Sequence, residues 1–141
     1  MKDSIANKII IAERDNIAAV IEKGKVAEFY VHRGEIILGD VYLAQVENIL
    51  PSIEAAFVNV GSDKMGFLHA QDVMGKGALQ DKLKPKQKIV VQVVKEPVGH
   101  KGPRVTTEIS LPGRFLVLMP NEAGINVSKK ITSAKERARL K

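Results

Sequence analysis

Short β-branched runs, each closed by turn residues at intervals of roughly ten positions, confine this chain to an all-β architecture. Three such runs open it, Lys8–Glu13, Asn16–Glu22 and Lys25–His32, joined at Arg14-Asp15 and Lys23-Gly24. Five more follow: Ile36–Ile49, Ile53–Val60, Met65–Ala70, Lys88–Glu96 and Arg104–Ser110. Between the third and fourth of these lies Gln71–Gln87, where Gly75, Gly77 and Pro85 predict turns and a short helix around Ala78–Leu83. Leu116–Met119 is a further short apolar run, closed by Pro120-Asn121. Only the tail carries a helix signal: Ser133 with Glu136 predicts a capping box leading into Ala134–Leu140. That helix stops after about two turns, short for a packed helix. The chain is therefore expected to be a truncated piece of a longer one.

Residues two apart on a strand share a face. Phe57 and Asn59 then fall together, as do Phe67 and His69, while Ala56, Val58, Val60, Leu68 and Ala70 take the opposite faces. The tight Gly61-Ser62-Asp63-Lys64 turn joins the two strands. Two phenylalanines often simply fill a core. Here the small aliphatic faces already supply one, so Phe57 and Phe67 are expected on the outside of a small barrel. Exposed rings beside lysines give bases a π-surface and phosphates a counter-charge. His69 and Asn59 are secondary candidates that could hydrogen-bond base or sugar groups; a histidine so placed is more often only a surface residue.

The charge is uneven along the chain. Residues 1–35 balance, residues 36–110 are nearly balanced, and residues 111–141 carry seven basic groups against two acidic ones. Within the middle block, Lys82, Lys84, Lys86, Lys88, Lys95, Lys101 and Arg104 meet only Glu96, whereas residues 36–81 are acidic overall. Two readings stay open: a footprint for a polyanion, or lysines that keep strand edges soluble. The absence of cysteine excludes disulfides and thiolate metal sites. His32, His69 and His100 are not at metal-ligand spacing, so no metal site is expected. The early apolar run Ile9–Ala12 is too short for a signal-peptide core or a membrane span. The chain reads as cytoplasmic, without a membrane partner.

Two sets of three stretches carry resemblances. Gly39-Asp40-Val41-Tyr42, Ala56-Phe57-Val58-Asn59-Val60-Gly61 and Gly66-Phe67-Leu68-His69 together resemble the S1 motif of RNA-binding proteins, a five-stranded OB-fold barrel. Pro51-Ser52-Ile53-Glu54-Ala55-Ala56-Phe57-Val58, then Lys95 to Arg104, then Ile109 to Pro120, resemble the ribonuclease E/G family. These are bacterial and plastid endoribonucleases of RNA decay and rRNA processing. The resemblance implies a mainly β fold laid out in three parts. Residues 1–35 would be the N-terminal strands of an RNase H-like subdomain, residues 36–107 the S1 domain, and residues 108–141 the start of a 5′-sensor-like subdomain. It places the family's RNA-contacting phenylalanines and lysine on Phe57, Phe67 and Lys101. Gly113 and Val117 match positions near the family's 5′-end pocket.

The resemblance also implies a magnesium-dependent hydrolase that can form a homo-oligomer, in the bacterial cytoplasm or plastid stroma. The phosphate-gripping and magnesium-binding residues of the family would lie beyond Lys141. Within the chain the carboxylates are dispersed, with no recurring pair on one strand face, so no catalytic residue is assigned and the chain alone is expected to be inactive. Gly99 and Gly102 fit the turn before the last barrel strand. Single-stranded RNA is the expected partner, held by Phe57, Phe67, Lys101 and Arg104. A freestanding S1 RNA-binding or chaperone protein, and a module whose aromatic face docks another protein, are the alternatives.

Overall fold

The computed structural model describes residues 8–32 and 36–141. The chain divides into two compact units, residues 1–35 and 36–141. Of the expected N-terminal part, residues 1–7 and 33–35 lie outside the described residues.

The first unit is an antiparallel sheet in the order β1-β2-β3, formed by β1 (Lys8–Ala12), β2 (Ile17–Glu22) and β3 (Lys25–Val31). A 3-10 turn at Glu13–Asp15 and a left-handed Asn16 join the first pair. Lys23 and Gly24, both with positive φ, make the two-residue turn of the second. Among the described residues of this unit Ala19 is the only buried hydrophobic one, while Ile9, Ile10 and Ile11 on β1 and Val26, Phe29 and Tyr30 on β3 are exposed.

The second unit is built on a closed barrel of β4 (Val41–Leu50), β5 (Ala55–Asn59), β6 (Gly66–His69), β7 (Lys88–Lys95) and β8 (Arg104–Thr106), hydrogen-bonded in the order β4-β5-β6-β8-β7. This is the five-stranded OB-like arrangement expected from the sequence. The longest strand, β4, serves two neighbours: its first half pairs with β7 and its second with β5. A bulge at Glu47 gives the bend this requires, and a second bulge at Val94 bends β7 toward β8. Closure comes from one parallel rung, Phe67 opposite Arg104, with the Phe67 amide donating to the Pro103 carbonyl at 2.8 Å.

Ala44, Val46, Ala56, Val58, Leu68, Val91, Val93 and Val105 fill the interior, each 0–1% exposed. On β5 and β6 they alternate as the sequence assigns, except that Ala55, on the Phe57 face, is also buried. Val73, Leu79 and Leu83 close one end, Leu79 from the single-turn helix α1 (Leu79–Lys82).

Several expected elements are shorter. Residues 36–40 form no strand; Asp40 caps a turn by accepting from the Ile37 amide at 3.1 Å. Pro51–Ile53 is a 3-10 turn because Pro51 suits a helical start and Glu54 then adopts φ 48°. The last barrel strand ends at Thr106, since the Thr107 amide turns away to the Asp72 carbonyl. The run Leu116–Met119 contributes β10 (Val117–Leu118), paired with β9 (Leu111–Pro112) in a small hairpin. The tail helix α2 (Ala134–Leu140) has half its expected cap. Ser133 Oγ accepts from the Glu136 amide, but the Glu136 carboxylate turns to Arg139 at 2.6 Å instead of reaching back. That pairing holds the Glu136 carboxyl below the usual carboxylate range.

Candidate nucleic-acid interface

Strand register assembles the site. Across the outside of the barrel, Asn48 pairs with Phe57, Phe57 with Phe67, Phe67 with Arg104, and Arg104 with Lys95. Their chain neighbours Ala56, Val58, Leu68 and Val105 are buried, so the row lies on the outer face. One band across four strand junctions thus runs from a polar amide through two rings to two cations.

The rings of Phe57 and Phe67 stand 5.9 Å apart at 68°, an edge-to-face pair. Both are half-buried. Rings set nearly perpendicular cannot hold two parallel stacked bases, so nucleotides on them must splay apart, as unstacked single strands do. The His69 ring lies 6.5 Å from Phe67. Its Nδ1 accepts from the Gln71 amide at 3.2 Å, so a neutral ring carries its proton on Nε2, as a donor. Asn59 is on the same strand face, but its Oδ1 accepts from the Gly61 amide at 2.8 Å and shapes the β5–β6 turn.

The loop carrying Lys101 is fixed against the β5–β6 turn. Val98 and Lys101 exchange both backbone hydrogen bonds around Gly99-His100, and Lys64 Nζ donates to the Gly99 carbonyl at 2.7 Å. Gly102 passes so close to the other turn that a Cβ would sit 1.8 Å from the Met65 carbonyl oxygen. Only glycine allows this approach, which joins the lysine-bearing loop to the strand that carries Phe67. The sequence shows Gly102 as a turn residue; its steric role needs the partner backbone to be seen.

The basic run is partly engaged. Lys86 pairs with Glu47, and Lys82 Nζ donates to the Val73 carbonyl at 3.2 Å. Arg104 Nε donates to Asp72 at 2.8 Å, which leaves its terminal nitrogens open. Among the described residues, the ammonium groups of Lys84, Lys88, Lys95 and Lys101 have no hydrogen-bond or ion-pair partner. Sequence reasoning missed the Asp72–Arg104 pair, because nothing local links residues 32 positions apart. Gly113 and Val117 come together in the β9–β10 hairpin. The Gly113 amide donates to the Leu116 carbonyl at 2.8 Å, and Val117 pairs with Pro112; both are exposed.

Among the described residues, no group of three or more His, Cys, Asp or Glu could hold a metal ion. Nor, among them, is any helix long and apolar enough to cross a membrane. Residues 110–141 match the model of the Ribonuclease E/G family. The chain is 46% identical to the ribonuclease E of Synechocystis sp., over 95% of this chain and 21% of that protein. It is 37% identical to the ribonuclease G of Haemophilus influenzae, over 99% of this chain and 32% of that protein. With the ribonuclease G of Escherichia coli K12 it shares 40% identity, over 87% and 28% respectively. The chain spans between a fifth and a third of the length of these relatives.

Proposed function

Since the chain belongs to the ribonuclease E/G family, we propose that its barrel holds single-stranded RNA for an endoribonuclease whose cutting residues lie outside these 141. The observation that carries this reading is the continuous outer row from Phe57 through Phe67 to Arg104 and Lys95. Bases stack on the two rings. Lys101, Lys95 and the free Nη groups of Arg104 meet the phosphates. His69 Nε2 donates to a base or sugar oxygen, and Asn59 acts mainly through the turn it shapes. Gly113 and Val117 belong to the neighbouring 5′-end recognition region, with residues 108–141 as its start, residues 36–107 as the S1 domain, and residues 1–35 as part of an RNase H-like subdomain. The reading extends to a whole protein of cytoplasmic RNA decay and rRNA processing, magnesium-dependent and homo-oligomeric. The described residues offer no ligand set for magnesium, so no step of cleavage is assigned to them.

The test is RNA binding by fluorescence anisotropy, with magnesium present. The 141-residue chain is expected to bind 5′-monophosphorylated single-stranded RNA without cutting it. Phe57→Ala and Phe67→Ala are each expected to lose about 1–3 kcal/mol of affinity, with the far-UV circular dichroism of the barrel retained. Normal binding by both variants, or metal-dependent cleavage that co-purifies with the chain, overturns the proposal.

A further inference from the structure

Beside the platform, on the outside of β7 and β8, lies an open cleft of about 400 Å³. One wall is the Arg104–Lys95 rung itself, the cationic end of the aromatic row. The segment carrying Glu108 and Ser110 also lines it, with Val94 and Met119 as apolar lining. That segment is held firmly. Gln92 donates to the Ser110 carbonyl and accepts from the Ser110 amide, both at 2.8 Å, and the Glu108 amide donates to Thr106 Oγ1 at 3.1 Å. Asp72 orients the near wall through its 2.8 Å bond to Arg104 Nε.

The polar groups left over decide the chemistry. Among the described residues, the Lys95 ammonium, the Arg104 terminal nitrogens, the Glu108 carboxylate and the Ser110 hydroxyl have no hydrogen-bond partner. The cleft therefore offers both cations, on the rung it shares with the platform, and a free carboxylate acceptor. A simple phosphate site would not carry that carboxylate.

We propose that this cleft is a base-selective nucleotide subsite continuous with the stacking platform, a reading that rests on RNA binding by the barrel. The phosphate of a nucleotide leaving Phe67 meets Lys95 and the free Nη groups of Arg104. Its base lies against Val94 and Met119 and presents its edge to Glu108 and Ser110. A carboxylate only accepts hydrogen bonds, so it selects bases that offer N–H donors. Guanine, with adjacent N1–H and N2–H donors on its Watson–Crick edge, fits best. Uracil, whose one N–H lies between two carbonyls, fits worst.

The experiment walks a single guanosine through an all-uridine RNA octamer and measures binding to the 141-residue chain at fixed salt. One position is expected at which guanosine tightens binding roughly tenfold over the all-uridine octamer. Glu108→Gln should bring that ratio close to one, while raising all-uridine affinity slightly because an anionic group is removed. A wild-type chain that binds all the octamers equally, or a Glu108→Gln chain that keeps the ratio, overturns the subsite and leaves the platform standing. A wild-type chain that binds no octamer overturns the platform reading and the subsite with it.

Discussion

The barrel and the N-terminal sheet are made from similar β-branched runs, yet they meet opposite fates. In the barrel, closure gives every inward residue a partner across the axis, and the eight inward side chains named above are at most 1% exposed. In the three-stranded sheet only Ala19 is buried, although β1 reads Lys-Ile-Ile-Ile-Ala and β3 holds Val26, Phe29 and Tyr30. Apolar sequence produces a strand in both. It produces a core only where the backbone curves back on itself or another layer covers it. The sheet's alternation is also blurred: all three isoleucines of β1 are apolar, so neither of its faces is marked as outward by a polar row.

Core substitution should separate the two regions most widely. Leu68→Ala is expected to cost about 2–5 kcal/mol, since it leaves a cavity in a filled barrel. Ile11→Ala, at a position 74% exposed, should stay within about 0.5 kcal/mol. Urea melts followed by circular dichroism measure both. A cost for Ile11→Ala approaching that for Leu68→Ala would show that the sheet's open face is covered in solution, and the contrast would collapse.

Glycines sharpen the contrast at smaller scale. Gly24 ends the hairpin of the sheet with φ +77° and nothing within 4 Å of a built Cβ, so its requirement is conformational. Asparagine tolerates that region of φ, and Gly24→Asn should cost well under 1 kcal/mol, a magnitude set by cap-like positions. Gly102 in the barrel is sterically required by the Met65 carbonyl. Both Gly102→Ala and Gly102→Asn should lose about 1–3 kcal/mol from forced overpacking, and RNA affinity should fall with the displaced Lys101 loop. If Gly102→Asn melts like wild type, the two turns are not in contact as described.

What the sequence revealed follows from how local each cause is. Alternation in Ala55–Asn59 and Gly66–His69 placed Val58 and Leu68 inside and Phe57 and Phe67 outside, because a strand's face is decided by its own two-residue repeat. The turn at residues 36–40 looks like strand in the sequence, because Ile36, Ile37 and Leu38 are β-forming while the deciding contact is the Asp40 side chain on the Ile37 amide. The β9–β10 hairpin has only two rungs, too short to leave a periodic trace. Nothing in the local pattern shows that Arg104 would face Phe67 and Asp72 together. Its 3-residue strand closes the barrel through a single parallel rung, a contact fixed by topology and not by propensity. The site's aromatic half is therefore legible in strand alternation, while Lys101 and Arg104 are legible as residues but not in the register that sets Arg104 beside Phe67.

The smallest expected effect sets one lysine against another. Lys25 and Lys101 are both exposed, the first on β3 of the sheet and the second in the barrel loop beside the aromatic row. A lysine that touches phosphate releases condensed counterions, so for single strands each contact adds about 0.7 to the slope of log affinity against log salt. Lys101→Ala should flatten that slope by roughly one such contact and weaken all RNA sequences alike. Lys25→Ala should leave the slope unchanged, and Phe57→Ala should lower affinity at an unaltered slope, because stacking releases no ions. Salt titrations of the wild-type chain and these three variants decide the matter. If Lys25→Ala flattens the slope as much as Lys101→Ala, RNA is drawn to net charge on either region. The row on the barrel would then have no privileged part in phosphate contact. If only Lys101→Ala does so, the same charge at two exposed positions differs in effect for one reason: a stacking surface holds the backbone within reach of one lysine and not of the other.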